Sequence, residues 1–309
     1  MRGGQRRIAA ALVLVLSLLG CAAHAKPVDP GHWPALSTEG RIARLTRELG
    51  SDFRHLRLPG ARVRFIEVPG PPDGADGSRP ILFVHGIGGG LGDFGPVMLK
   101  ARGTARLVAL DLPGFGGSVS ERHDYSVSGA AKMLGAFITR LGLAPVRLAC
   151  HSLGGQVCLQ LALEKRQLIH DLTLVAPAGV YRHDEFVREM TRQVGVSTGR
   201  VQMSDPARAL SALLTHGDDA IMRRLVAQNP RTLAALASFR ENLHTRLGEL
   251  EVPTLVVWGT SDRVLPMADG FTLAAAAGAT LHLVEHAGHS PQLSHPEKIH
   301  AWMQSLPVP

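Results

Sequence analysis

The chain has 309 residues, of which 45% are hydrophobic and 19% charged, and its formal net charge is +7. This balance excludes a disordered or fibrous chain and predicts a globular protein with a sizeable core. The basic residues are scattered and are not interleaved with aromatic side chains, which argues against a nucleic-acid partner.

The first residues have the pattern of a secretory signal peptide. A basic start with Arg2, Arg6 and Arg7 precedes an apolar run over residues 8–19. That run is shorter than the roughly 20 residues of a membrane-spanning helix. We therefore predict a signal peptide over residues 1–20.

This segment ends in Leu18-Leu19-Gly20-Cys21, which resembles the bacterial lipobox. In that motif the cysteine is lipidated and becomes the mature N-terminus, so the resemblance implies lipidation of Cys21. Ala22 is then the second mature residue, and because it is not Asp the resemblance implies an outer-membrane lipoprotein that faces the periplasm. The alternative is ordinary cleavage after Ala25, which gives a periplasmic or secreted protein that begins at Lys26.

The next residues lead into the folded domain. Residues 21–35 contain Pro and Gly without periodicity, and they are predicted to be a lipid-anchored tether. Apolar residues at helical spacing predict an amphipathic helix over residues 38–49. The alternating residues 63–68 predict a strand, and the Pro- and Gly-rich residues 69–80 predict a turn.

Short apolar runs then recur along the chain, with stretches between them that are long enough for helices. Such runs indicate a mostly parallel, doubly wound sheet that is covered on both faces. The fold class is therefore α/β, with core segments over residues 36–178 and 249–309. The predicted strands are residues 81–84, 107–110, 146–149, 172–175, 254–258 and 280–284.

Residues 179–248 interrupt this alternation. Apolar side chains in the segment fall at helical spacing, among them Phe186, Met190, Ile221 and Leu225. We interpret the segment as a helical cap. Its apolar stripes either pack the cap itself or line a substrate pocket.

Residues 146–157 contain an apolar strand, then Ser152 among small residues, then the start of a helix. This is the pattern of a nucleophile elbow, a strained turn that exposes a serine above the sheet. Cys150 and Cys158 flank the serine across strand, turn and helix. Helical rise predicts a separation on the order of 10 Å, beyond disulfide reach, so we expect two free thiols.

Two further motifs follow predicted strands. The loop His85-Gly86-Ile87-Gly88 is rich in glycine but lacks the Lys-Ser/Thr of a phosphate-binding loop, and the turn at residues 111–118 reads Asp-x-x-Gly-x-Gly-x-Ser. Together with the elbow, these motifs resemble the α/β-hydrolase superfamily, although Cys150 replaces the first glycine of the usual Gly-x-Ser-x-Gly. The resemblance implies an oxyanion hole at the amides of Ile87 and Leu153.

A serine nucleophile needs a general base and an orienting acid. In the α/β-hydrolase superfamily the acid follows the nucleophile along the chain and the base comes last. Asp262 and His289 each follow a late predicted strand, so the resemblance implies a catalytic triad of Ser152, Asp262 and His289. Weaker candidates for the acid are Asp184, Asp269 and Glu285.

The resemblance implies a lipase- or esterase-like hydrolase that cleaves a small ester or a lipid through an acyl-enzyme. A carbon–carbon bond hydrolase, a cofactor-free haloperoxidase-like enzyme and a non-catalytic binding module stay open as alternatives. Carbon–carbon hydrolases usually carry Asn before the nucleophile and Trp after the base, where this chain has His151 and Ser290.

We expect no cofactor and no metal. Four histidines lie near the last predicted strand, at positions 282, 286, 295 and 300, but no close set of Cys, Asp or Glu frames them as metal ligands. The expected partners are the substrate and, through Cys21, a membrane. The sequence leaves the oligomeric state open.

Overall fold

A computed structural model describes residues 32–71, 78–180, 230, 233–234, 237–238 and 241–306. The predicted signal peptide with Cys21 lies outside the described residues. So does most of the predicted cap, including Phe186, Met190, Ile221 and Leu225.

Among the described residues, the centre of the fold is a sheet of nine strands. In chain order these strands are β1 (Phe53–Leu58), β2 (Ala61–Val68), β3 (Ile81–Val84), β4 (Leu107–Leu110), β5 (Val119–Ser120), β6 (Val146–His151), β7 (Ile169–Val175), β8 (Thr254–Gly259) and β9 (Thr280–Val284). They are arranged in the order β1-β2-β4-β3-β6-β7-β8-β9, and β5 pairs with β2. Strand β2 runs antiparallel to β1, β4 and β5, whereas all pairs from β4 to β9 are parallel. The sheet confirms the predicted α/β class.

Helices lie on both faces of this sheet. The described α-helices are α1 (Thr38–Leu49), α2 (Gly95–Ala101), α3 (Val127–Arg140), α4 (Leu153–Glu164), α5 (Met267–Ala277), α6 (Pro291–Ser294) and α7 (Pro296–Gln304). Short 3₁₀ helices occupy Trp33–Ala35, Arg166–Leu168 and His244–Glu249. In this described part of the chain, no helix is both long enough and apolar enough to span a bilayer.

Strands β3 and β4 are apolar at every position because their alternate residues enter two different cores. Leu82 and Val84 of β3 pack in the core beneath α3 and α4. Ile81 and Phe83 pack in the other core, with residues of α1, α2 and α7. Burial on both faces therefore explains the continuous apolar runs from which the parallel sheet was predicted.

Helix α1 has the bounds that its periodicity predicts. The side chain of Ser37 caps its first turn by accepting a hydrogen bond from the amide of Gly40 at 3.0 Å. The helix ends at Gly50, whose φ of 63° is left-handed. Its buried face consists of Ile42, Leu45 and Leu49.

The predicted tether over residues 21–35 is too long at its C-terminal end. Residues Trp33–Ala35 form a 3₁₀ turn, and Trp33 is only 8% exposed. Its indole packs beside Gly95, and the guanidinium of Arg44 lies 4.6 Å from the ring centroid. Folded structure therefore begins before residue 36, because the indole packs on the domain.

Strand β1 was not predicted. It lies at the edge of the sheet. Four of its six residues are exposed and are aromatic or polar, namely Phe53, Arg54, His55 and Arg57. Pro59 and Gly60 connect it to β2 in a two-residue turn, in which Gly60 has a φ of 83°. A solvated edge strand lacks the apolar run by which the central strands were recognised.

Candidate active site

Ser152 lies at the turn between β6 and α4, with φ of 51° and ψ of −120°. A residue with a side chain rarely adopts this conformation, so the surrounding contacts must hold it. The amide of Ser152 donates to the carbonyl of Val175 at 3.0 Å. The carbonyl of Ser152 accepts hydrogen bonds from the amides of Gln156 at 3.1 Å and Ala178 at 3.0 Å. The turn has the strained geometry that the elbow pattern predicts.

Gly154 allows the start of α4 to approach the end of β3. A Cβ at this position would lie 2.4 Å from the carbonyl oxygen of His85 and 2.7 Å from that of Val84. Both neighbours are backbone atoms at the end of a buried strand and cannot move aside at small cost. The glycine therefore keeps the elbow against the loop that follows β3.

Cys150 and Cys158 form a disulfide, so the expectation of two free thiols is wrong. Their Cα atoms are 6.6 Å apart. The expected separation came from helical rise and did not include a reversal of the chain. The elbow turns the chain back and α4 packs along β6, so Cys158 comes close to Cys150. The bond links the strand before Ser152 to the helix after it.

Asp262 and His289 reach Ser152 from the loops that follow β8 and β9. Nε2 of His289 lies 3.0 Å from Oγ of Ser152, and Nδ1 lies 2.8 Å from Oδ2 of Asp262. The side chain of Asp262 is fully buried and that of His289 is 10% exposed. The structure thus brings together the three residues predicted as a triad, in an arrangement that allows a proton to pass from the serine to the histidine.

The loop after β8 fixes the orientation of the Asp262 carboxylate. Its Oδ1 accepts from the amides of Val264 at 2.8 Å and Leu265 at 3.0 Å, which leaves Oδ2 for His289. Of the weaker candidates for the acid, Asp269 lies in α5, Glu285 is exposed, and Asp184 lies outside the described residues. Asp262 is the candidate whose carboxylate contacts the histidine.

The predicted oxyanion loop lies against the nucleophile. A Cβ on Gly86 would be 2.9 Å from Cβ of Ser152, so Ile87 follows a residue in direct contact with the serine. Leu153 begins α4, where a helix leaves its first amides without internal acceptors. In the described part of the protein, neither amide donates to a protein acceptor. Both N–H groups are therefore free to bind an anionic oxygen.

The motif at residues 111–118 is architectural, as its family counterpart suggested. The buried carboxylate of Asp111 accepts from the amide of Leu91 at 2.8 Å, the amide of Gly117 at 2.9 Å and Nε of Arg64 at 2.5 Å. Oγ of Ser118 donates to the carbonyl of Asp111 at 2.7 Å. These contacts connect the loops after β3 and β4 and leave the triad untouched.

His85 is also a structural residue. Its Nδ1 lies 2.6 Å from the carbonyl of Gly86, and its Nε2 lies 2.9 Å from the amide nitrogen of Leu112. Because the amide donates, Nε2 must accept and Nδ1 must carry the proton. Both ring nitrogens are occupied by backbone groups, so His85 is not a second base.

The described end of the predicted cap is attached beside the elbow. Nε2 of Gln156, one turn after the nucleophile, donates to the carbonyls of Ser238 at 3.0 Å and Glu241 at 2.9 Å. The carboxylate of Glu241 in turn accepts from the amides of Val127 at 3.0 Å and Ser128 at 2.9 Å. These bonds fix the chain that leaves the cap onto α3 and α4.

A mostly apolar depression lies next to Leu153. It is bounded by the loop after β4, the start of α3, the first turns of α4 and one residue of the predicted cap. Asp124, Tyr125 and Ser126 carry the polar groups of its lining. Its apolar lining includes Leu112, Phe115, Val127, Leu153, Val157 and Ala234. The side chain that follows the nucleophile therefore faces an apolar space.

The histidines near β9 do not converge on one point. His282 stacks on Trp302 with ring centroids 4.5 Å apart, and Nδ1 of His295 contacts Oγ of Ser294 at 2.8 Å. Across the residues that the structure describes, no group of three His, Cys, Asp or Glu side chains is placed to hold a metal ion.

The sequence did not assign a role in the site to His151. Its Nε2 lies 2.9 Å from the carbonyl oxygen of His289, 138 positions away, and the two ring centroids are 4.8 Å apart. Its place directly before the nucleophile was the one available signal, and that signal does not tell which way the ring points.

The model of the Alpha/beta hydrolase family matches residues 81–302, a range that includes the triad, Ile87 and Leu153. The human monoacylglycerol lipase ABHD6 is 28% identical over 250 residues, which cover 73% of this chain and 74% of the relative.

Two solved structures share the fold. A membrane phospholipase A has a TM-score of 0.61 and 22% identity, and the match covers 97% of each chain. A hydrolase from Pseudomonas aeruginosa has a TM-score of 0.60 and 23% identity, and the match covers 82% of this chain and 97% of the hydrolase.

Proposed function

Because the chain belongs to the alpha/beta hydrolase family, we propose that it is a serine hydrolase that cleaves carboxylic esters with Ser152 as the nucleophile. The observation that carries this proposal is the series of contacts from Oγ of Ser152 through His289 to Asp262, at 3.0 Å and 2.8 Å. A serine hydroxyl is a weak nucleophile, and a histidine at this distance can remove its proton as it attacks.

In the first half of the reaction, Oγ of Ser152 attacks the ester carbonyl carbon while its proton passes to Nε2 of His289. The carboxylate of Asp262 stabilises the resulting imidazolium through Nδ1. His289 then gives the proton to the leaving alcohol as the carbon–oxygen bond of the ester breaks. The acyl group stays bound to Ser152.

The second half frees the acid. His289 takes a proton from a water molecule, whose oxygen attacks the acyl carbonyl carbon. The bond to Ser152 breaks, Oγ regains its proton from His289, and the carboxylic acid leaves. His289 therefore acts first as a base and then as an acid in each half of the reaction.

We assign the amides of Ile87 and Leu153 to the oxyanion hole of both steps. Their lack of described protein acceptors supports this assignment. So do the place of Leu153 directly after the nucleophile and the close approach to Ser152 of Gly86, the residue before Ile87. Each donor aimed at the developing negative charge is expected to contribute about 3 kcal/mol to transition-state stabilisation. Backbone donors are preorganised because β3 and α4 hold them.

The proposed substrate is a small ester or a lipid with an apolar acyl group. The apolar side chains beside Leu153 support an acyl group that avoids water, but the depression that they line is too small to hold that group. The name of the human relative, a monoacylglycerol lipase, is consistent with a substrate of this class. Phe186, Met190, Ile221 and Leu225 of the predicted cap stay candidates for further lining.

We propose that the protein is exported, lipidated at Cys21 and held at the outer membrane facing the periplasm. The basic start, the apolar run and the lipobox-like ending of the first segment support this location. The Cys150–Cys158 disulfide supports export independently, because disulfides form and persist in oxidising compartments such as the periplasm. The substrate would then be met outside the cytoplasm.

A series of p-nitrophenyl esters of increasing acyl length tests the proposed activity. The purified mature protein is expected to hydrolyse at least one of them, and Ser152→Ala to lose at least about 10³-fold in kcat/KM while keeping its circular dichroism spectrum. Unchanged hydrolysis by Ser152→Ala would contradict the proposal. Labelling of Ser152 by a fluorophosphonate without hydrolysis of any ester would favour the carbon–carbon hydrolase or haloperoxidase alternative. Failure of both reactions would favour a binding module.

A further inference from the structure

His151 lies directly before the nucleophile and has no part in the mechanism above. It is 6% exposed, and its Nε2 lies 2.9 Å from the carbonyl oxygen of His289. A carbonyl oxygen only accepts hydrogen bonds, so Nε2 must carry the proton and donate it. This contact fixes the tautomer of His151 and leaves a lone pair on Nδ1.

The two histidine rings also touch. Their centroids are 4.8 Å apart and their planes are inclined by 53°. His289 follows the exposed Gly288 in the loop after β9, where a glycine leaves the backbone free to adopt several conformations. The hydrogen bond from His151 holds this loop at the backbone of His289. The contact between the two rings limits how far the imidazole of His289 can rotate.

The other side of the His151 ring faces the oxyanion loop. A Cβ on Gly86 would lie 2.8 Å from Nδ1 of His151. Nδ1 is buried and has no hydrogen-bond partner among the described residues. The ring therefore fills the space between the loop that carries Ile87 and the loop that carries His289, and it contacts both.

The charge state of His151 suits this place. Burial lowers the pKa of His151 well below its ordinary value, and the neighbouring His289, His85 and Arg41 lower it further. The hydrogen bond to the carbonyl of His289 acts in the opposite direction but does not outweigh burial. When His289 takes the proton of Ser152, its neutral neighbour adds no like charge to oppose the new cation.

From these contacts we infer that His151 is a positioning residue for the base, which holds His289 by its backbone carbonyl so that Nε2 stays within reach of Oγ of Ser152. The inference rests on the proposed function, in which His289 is the general base. His151 acts through His289 and not on the substrate. Its loss is therefore expected to lower kcat and to leave KM nearly unchanged.

The test compares His151→Met with His151→Gln. The two side chains have nearly the same length and volume, but only Gln carries an N–H near the position of Nε2. A small displacement of a catalytic group costs up to about 100-fold in rate. We expect kcat of His151→Met to fall about 10- to 100-fold with KM within about threefold of wild type, and His151→Gln to recover kcat to within about threefold of wild type. His151→Leu, which also lacks a donor and is shorter, replaces His151→Met if that variant does not fold.

Melting temperatures and the rate of fluorophosphonate labelling are measured on the same proteins. A role in packing alone would lower the melting temperature of both variants and leave kcat per folded molecule at the wild-type value, and this result would overturn the inference. Equal losses of kcat in His151→Met and His151→Gln would also overturn it, because the donor would then not matter. Absence of ester hydrolysis and of labelling in the wild type would instead contradict the proposed function, so the two failures are distinguishable.

Discussion

Oγ of Ser152 and Nε2 of His289 lie 3.0 Å apart although 137 positions separate the two residues in the chain. The contact exists because β6, β8 and β9 are parallel, so their following loops meet at one edge of the sheet. In open α/β sheets this carboxyl edge is where ligands bind. The geometry of the site is therefore set by the sheet and by the close contacts of its loops.

One such contact leads to the prediction that Gly154→Ala is damaging. The new Cβ would meet backbone oxygens of His85 and Val84 at 2.4 Å and 2.7 Å. Overpacking of this kind typically costs about 1–3 kcal/mol of stability, and the displaced start of α4 carries the amide of Leu153. We expect a lower melting temperature and a lower kcat.

Gly248→Ala is the matched control for that variant. The nearest atom to its added Cβ is the carbonyl oxygen of Ala276, at 3.8 Å, which is an ordinary contact. Thermal unfolding and ester hydrolysis of the two variants are compared under the same conditions. If Gly154→Ala were as stable and as active as Gly248→Ala, the described approach of α4 to β3 would be wrong.

The disulfide predicts the chemical state of two of the chain's three cysteines. In protein denatured without reductant, Cys150 and Cys158 should resist alkylation, and both should react after reduction. Replacing both by alanine is expected to lower the free energy of unfolding by about 2–3 kcal/mol, because the bond closes a short loop in the unfolded chain. Alkylation of both thiols before reduction would show that the bond is not formed.

Much of the fold is predictable from the sequence. Strands β3, β4 and β9 have the predicted bounds, since β3 and β4 are buried on both faces and read as unbroken apolar runs. The solvated strand β1 gives no such signal. The dipeptide Pro59-Gly60 was the available clue, because Pro-Gly is a turn signal in a sequence.

Motif order predicted the residues of the candidate site, but not what surrounds them. Ser152, Asp262 and His289 each follow a predicted strand, so their meeting follows from the sheet. The Cys150–Cys158 bond depends on the direction in which α4 leaves the elbow, and the spacing of eight residues does not give that direction. The contact of His151 with His289 depends on the orientation of a ring, which no pattern in the sequence specifies.

The lowered pKa of His151 predicts how stability depends on pH. In the unfolded chain His151 binds a proton near its ordinary pKa of 6.5, whereas in the folded protein it stays neutral to well below that pH. Below pH 6.5 the unfolded state therefore binds more protons, and the free energy of unfolding falls as the pH falls, by at most about 1.4 kcal/mol per pH unit from this group. Above about pH 7 the unfolded chain is also mostly neutral at this position, so the residue contributes little to the pH dependence.

Urea unfolding of wild type and His151→Gln between about pH 5 and pH 7.5 measures this difference. The variant lacks the group, so its stability should decline less steeply between about pH 6.5 and pH 5 than that of the wild type. The two proteins should show parallel curves above about pH 7. Parallel curves over the whole range would mean that His151 binds its proton equally well in both states.

The lipobox-like ending predicts that Cys21→Ser releases the protein from membranes into the soluble fraction of the envelope. Acyl chains on Cys21 would contribute about 0.8 kcal/mol of membrane affinity per buried CH₂ group, and the serine variant would lack them. Fractionation of cells that produce either protein measures the change. Mass spectrometry of the wild type gives a direct control, because a mature N-terminus at an unmodified Lys26 would rule out the lipid anchor.

The central claim, that Ser152 is a nucleophile activated by His289, is tested most directly by a fluorophosphonate probe and peptide mass spectrometry. We expect a single adduct on Ser152 in the wild type, and labelling of His289→Asn slower by at least about 100-fold. His286→Asn is the control, because His286 lies three positions earlier, is exposed and has a φ of 59°, which asparagine tolerates; it should label at the wild-type rate. An adduct on another serine, or equal labelling of His289→Asn and wild type, would contradict the proposed catalytic roles of these residues.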